Sequence, residues 1–139
     1  MPVLSTWFVR TALLELLAGF LLGALMLATR GHTLALWAAP LLPLHIELLV
    51  LGWLANLALG VAYWILPKHA SGPERGRRWP VIAAWCSLNA GVLLAGLHVA
   101  PGLGRAAELG AVMLFAAHAL PRVKAFGVGR GIEPGRGQR

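Results

Sequence analysis

Cysteine is almost missing from this sequence. Cys86 stands alone inside an apolar run, which excludes an intramolecular disulfide, a cysteine-rich metal site and the Cys-x-x-Cys-His attachment of covalent haem. Charge is scarce too, at 12% of 139 residues, against 58% hydrophobic side chains. That balance excludes a water-soluble domain and leaves a single membrane domain as the sensible count. No glycine-rich phosphate loop occurs, and no nucleophile and base stand at a catalytic spacing, so hydrolase and transferase chemistry have no foothold.

What charge there is has a sign and a place. The net charge of +7 suggests nucleic acid at first sight. The basic residues, however, fall between and after hydrophobic segments, and the positive-inside rule accounts for them more simply. Nucleic acid is therefore not an expected partner; a lipid bilayer is.

Four apolar segments are legible: about Trp7–Thr29, Leu44–Lys68, Pro80–Ala100 and Leu103–Val123. The first is too long for a signal-peptide core and lacks a small-x-small cleavage site, so it is expected to stay as a membrane span. The loop Arg30–Pro43, with Pro40 and Pro43, is expected to lie along the interface. Lys68, Arg75, Arg77 and Arg78 follow the second segment, and Arg122, Lys124, Arg130, Arg136 and Arg139 follow the fourth. Both termini are thus expected on the cytoplasmic face of the cell (inner) membrane. The short APGLG link makes the last two helices antiparallel neighbours. The fold class expected is all-α, an integral membrane four-helix up-down bundle over residues 1–124. Residues 125–139 read as a basic, glycine-rich cytoplasmic tail.

The second segment carries the chemistry. At about 100° per residue, His45, Gly52, Asn56 and Tyr63 fall within roughly 20° of one line. An imidazole, a missing side chain, an amide and a phenol on one stripe must face protein or a cofactor, because none belongs against lipid. His45, Gly52-Trp53, Gly60-Val61-Ala62-Tyr63-Trp64 and Pro67-Lys68 together resemble the haem-ligand helix of the haem-copper oxidase catalytic subunit. The likeness is greatest to cbb-type oxidases and related nitric-oxide-response membrane proteins, and it covers about two dozen residues. In those families the helix opens with His-x-His, whereas the second position here is Glu47. The resemblance implies haem ligation at His45. It does not carry oxygen reduction, since the chain is too short for a dozen helices.

With that ligand in place, depth supplies a second. The second and third helices run oppositely, so His45 and His98 both come near the outer end, as a bis-histidine haem b requires. Ser87 and Gly91 share the face of His98 within roughly 20°, leaving room for a flat macrocycle or for close helix packing. Arg30, His32 and Arg105 are placed for haem propionates. His118, in the inner half of the fourth helix, is a candidate ligand for a second haem, with His69 or a symmetry-related chain as its partner; the alternative is a hydrogen bond to Glu15. The metal-ligating set is therefore His45, His98 and His118. Too few histidines converge for copper, and none is expected.

The remaining acids divide. Glu15 lies deep and is either a proton carrier or a structural partner of Arg10, Arg122 or a histidine. Glu47 points about 200° from His45 and is expected to meet Arg105 or His98 on a neighbouring helix. Gly19 and Gly23 form a GxxxG that builds a homodimer or seats another helix. The sequence thus predicts a membrane b-type haem protein with non-covalent haem, one or two per chain or shared in a homodimer. It would transfer electrons from a redox partner or quinol if both axial positions are filled, or bind nitric oxide or oxygen if one is free. A cofactor-free accessory subunit of a respiratory complex and a small proton-coupled carrier using Glu15 and His118 remain the alternatives.

Overall fold

The computed structural model describes residues 1–31, 35–67 and 76–123. Four helices among them are long and apolar enough to cross a membrane: α1 (Val3–Ala28), α2 (Leu36–Ile65), α3 (Trp79–Gly96) and α4 (Pro101–Arg122). At about 1.5 Å per residue, even the shortest approaches the roughly 30 Å hydrocarbon layer. Helices are what such a sequence must form there, because each satisfies its own backbone groups away from water. The chain is therefore an all-α, multi-pass bundle suited to a lipid bilayer. Leu13, Leu14, Leu17, Phe20 and Leu21 of α1 are exposed, as the lipid-facing side of such a bundle requires.

The bundle has two ends. The near end carries the start of α1 and the end of α4; the far end carries the start of α2 and the α3–α4 turn. At the near end, Leu4, Phe8, Tyr63, Val81, Ala84 and Phe115 close a core drawn from all four helices. Ser5 donates to the Gly60 carbonyl at 2.6 Å, and a β-carbon at Gly60 would stand 2.7 Å from that of Phe8. The small residue thus lets α1 and α2 touch backbone to backbone.

Arg122 finishes this end. It is 1% exposed and donates to the carbonyls of Pro67 at 3.0 Å, Leu66 at 2.9 Å and Tyr63 at 3.4 Å. Its guanidinium also lies 5.4 Å from the centre of the Tyr63 ring. A cation on the last, unsatisfied carbonyls of α2 complements the negative end of the helix dipole. The sequence offers Arg122 as an interfacial charge or a partner of Glu15; here it clasps two helices.

The α3–α4 hairpin is closely interlocked. A β-carbon at Gly104 would stand 2.7 Å from the Ala95 nitrogen, and one at Gly91 would stand 2.9 Å from the Gly104 carbonyl oxygen. Ser87 adds a 2.7 Å bond to the Ala107 carbonyl.

Two expectations change. The segment before the second span is helical from Ala35 where a loop is expected, and tightens through a 3-10 turn at Ala39–Leu41. Pro40 and Pro43 allow this because each sits in a first turn, where no backbone donor is needed. The third helix stops at Gly96, short of the expected Ala100. Within α2, residues Leu48–Ala55 form a π-helical stretch. His32, Lys68, His69, Arg75, Lys124, Arg130, Arg136, Arg139 and the tail 125–139 lie outside the described residues.

Candidate functional site

The stripe on α2 faces protein: α1 at His45 and Gly52, α1 and α3 at Asn56, and α4 at Tyr63. His45 Nδ1 lies 2.8 Å from the Gly19 carbonyl oxygen, and the ring fills the notch of Gly23, whose β-carbon would stand 2.7 Å from the imidazole Cε1. A carbonyl can only accept, so Nδ1 carries the proton and a neutral ring keeps its lone pair on Nε2. Nε2 has no hydrogen-bond partner among the described residues. The GxxxG of α1 is thereby spent within the chain, with Gly19 against Leu48 and Leu49 and Gly23 against His45.

About two turns further in, Gly52 makes room for an acid. A β-carbon there would stand 2.9 Å from the carboxyl carbon of Glu15. The Asn56 amide, fully buried, donates to Glu15 Oε2 at 2.9 Å, to the Gly52 carbonyl at 2.9 Å and to Asn89 Oδ1 at 3.2 Å. Asn89 in turn donates to the Trp85 carbonyl at 2.7 Å, and Trp85 reaches Thr11 at 3.2 Å. One carboxyl and two amides therefore join α1, α2 and α3 at mid-depth. Glu15 is paired by Asn56, and not by Arg10, which is exposed, or by Arg122 or His118. Asn89 is the member the sequence reading passed over. The rule that singled out buried acids, that polar groups in a span need partners, applies equally to its amide.

His98 goes elsewhere. It lies beyond the end of α3 in a left-handed conformation, φ 56°, and its side chain is exposed in the α3–α4 turn. Glycine usually takes such a helix-ending position, and histidine is among the residues that tolerate it. The heights agree, since Leu44 packs on Gly96. The directions do not: His45 turns to α1 and His98 turns out of the bundle, so the two are not brought together. An apolar cleft beside His98 is lined by Ala39, Pro40, Leu44 and Gly96 among others, with a volume of about 510 Å³. The notch at Gly91 is filled by Glu108 and Gly104, so neither Gly52 nor Gly91 keeps space for a macrocycle.

His118 lies at the near end with its ring 5.9 Å from that of Tyr63. Arg30 is exposed at the far end of α1. Arg105 is committed to two acids: it donates to Glu108 at 3.0 Å and also bonds Glu47. Glu47 thus finds its cation across α4, as its angle on the helix foretold. Among the described residues no group of three or more His, Cys, Asp or Glu side chains converges on a point.

No family model, curated protein or solved structure matches this chain.

Proposed function

We propose that the chain is an inner-membrane haem b protein with His45 as its one protein axial ligand, and that it binds a diatomic gas at the remaining position. The observation that carries this reading is the His45–Gly19 bond. A backbone carbonyl on Nδ1 fixes the tautomer, steadies the ring and raises the basicity of Nε2, as metal-bound histidines commonly require. The likeness of residues 45–68 to an oxidase haem-ligand helix supports the same assignment.

The fit is uneven, and that narrows the role. His45 suits one axial position. Gly52, Asn56 and Gly91 do not belong to the proposed site, because Glu15 and Glu108 fill those interfaces. Arg105 is held by its acids, and His98 is not beside His45. A bis-histidine electron carrier therefore lacks its second ligand within the described residues, whereas a gas-binding haem needs only one. When bound, haem would supply an iron able to take a diatomic gas, and His45 is the residue that would hold it. The protein's part is to hold His45 through Gly19 and Gly23. Both termini belong on the cytoplasmic side, where Arg10, Arg77, Arg78 and Arg122 gather.

The test is the absorption spectrum of the full-length protein purified after expression with haem precursor. The expected result is a Soret band that moves when carbon monoxide is added to the reduced protein. It should be lost in His45→Ala and kept in His98→Ala. A colourless protein overturns the reading; a spectrum indifferent to carbon monoxide overturns the single-ligand form of it.

A further inference from the structure

Around the side-chain nitrogen of Asn56, at mid-depth, oxygens from three helices crowd together. Glu15 Oε2 of α1 and the Gly52 carbonyl of α2 lie at 2.9 Å, and Asn89 Oδ1 of α3 at 3.2 Å. An amide nitrogen has two hydrogens, so it cannot serve three acceptors at full strength. Asn89 gives its own hydrogens to the Trp85 carbonyl at 2.7 Å and to Asn56 Oδ1 at 3.5 Å, leaving none for the rest. No basic side chain among the described residues pairs with Glu15, and its second oxygen has no hydrogen-bond partner there. Oxygens are in excess and one group carries a charge, a combination that demands a partner inside a bilayer.

The shape of the cluster selects that partner. A hard cation holds its oxygens at roughly 2.0–2.6 Å, which sets neighbouring oxygens about 3 Å apart around it. The separations of 2.9 and 3.2 Å here are of that size. One corner is the Asn56 amide, whose nitrogen and oxygen exchange places when it turns over. Turned one way it fills the cluster with hydrogens; turned the other, it adds Oδ1 to the oxygens of Glu15, Gly52 and Asn89. A proton joins only two oxygens and leaves the others short. A divalent ion would leave surplus positive charge beside the single carboxylate, whereas a monovalent one brings the cluster to neutrality. The backbone favours the same partner. Leu48–Ala55 is π-helical, a distortion frequent at functional sites, and irregular helix carbonyls coordinate sodium within membranes. Gly52 leaves the carboxyl its place, since a β-carbon there would stand 2.9 Å from it.

We infer that Glu15, Asn56, Asn89 and the Gly52 carbonyl form a binding site for one sodium-sized monovalent cation in the middle of the bundle. Its donors come from three helices, so the ion clamps α1, α2 and α3 together. Entry is along the seam between α1 and α3, where Glu15 and Asn89 are half-buried while Asn56 is fully buried. The cations of the chain are engaged or turned elsewhere. Arg10 is exposed, Arg105 is held by Glu47 and Glu108, and Arg122 is held by the end of α2. The site owes nothing to a haem at His45, which meets α1 at Gly19 and Gly23.

Thermal unfolding of the full-length protein in detergent, in sodium chloride against choline chloride at equal ionic strength, tests it. The midpoint should climb by roughly a few degrees for each tenfold rise in sodium and stay level in choline, because an ion that binds the folded state alone stabilises it. The protein should also broaden the sodium NMR line. Glu15→Gln keeps the shape of the side chain, removes its charge and should abolish both responses; Arg10→Gln, outside the cluster, should keep both. Equal midpoints in sodium and choline for the unaltered protein overturn the inference, whatever the variants do. A sodium response that persists in Glu15→Gln overturns it too. So does a stability that follows pH and ignores the salt, since a proton then takes the place.

Discussion

The amide of Asn56 reaches the carboxyl of Glu15 at 2.9 Å, across the α1–α2 interface. That single nitrogen also serves the Gly52 carbonyl and Asn89. Removing it leaves several buried acceptors short at once. Asn56→Ala should destabilise the bundle by about 1–2 kcal/mol, the range of interhelical hydrogen bonds in model membrane systems. Thermal unfolding in a mild detergent reads this out, with Asn56→Gln, which keeps the amide on a longer arm, recovering less than half. An unchanged midpoint in the alanine variant would show the cluster to be idle.

At the α3–α4 contact, space decides. Gly104→Ala puts a methyl 2.7 Å from the Ala95 backbone nitrogen, where nothing can move aside cheaply. Overpacking of this kind costs about 1–3 kcal/mol. Gly102→Ala and Gly110→Ala meet nothing within 4 Å and should leave the melting temperature unmoved. Equal melting of all three would contradict the interlocked hairpin.

The notch at Gly23 makes a separate prediction about His45. Gly23→Val drives a side chain into the space of the imidazole ring. If His45 ligates haem, this change should lower haem occupancy several-fold without touching the ligand itself, as supporting contacts typically do by tenfold or more. Pyridine haemochrome content per mole of folded protein measures it. Full occupancy in Gly23→Val would remove α1 from the proposed site.

For Arg122, the prediction concerns shape as well as charge. Lysine keeps the charge but loses the flat fork that serves several carbonyls at once. Arg122→Lys should therefore still cost about 1–2 kcal/mol, and Arg122→Gln more, since hydrogen bonds to a charged group are each worth roughly 1.5–3 kcal/mol. Trypsin cleavage rates at the near end, compared with the unaltered protein, give a second measure.

Much of this was legible without coordinates. Helix number and type follow from long apolar runs, and the α2 stripe was legible as facing protein or a cofactor, though not as which of the two. Glu47 could be narrowed to Arg105 or His98, because an acid opposite His45 must find its partner on another helix, and the structure gives Arg105. What fills a notch was not legible. Gly52 and Gly91 look alike whether a cofactor or a neighbour's glutamate enters them, and that choice is made by helix rotation in three dimensions. His98 was misplaced for a local reason: nothing in Leu97-His98-Val99 announces a left-handed residue where glycine would ordinarily stand. Asn89 escaped notice because a lone amide carries no charge to draw attention, although its hydrogen bonds need partners just as much.

The clasp at Arg122 has a bearing on how the bundle is built in the cell. The carbonyls that end α2 are made early and must wait, because the guanidinium that satisfies them comes with the final described helix. Biogenesis therefore closes with a latch. A ribosome-bound chain truncated before Arg122 holds every span except the end of the fourth, yet its second helix stays unlocked until synthesis delivers that one arginine.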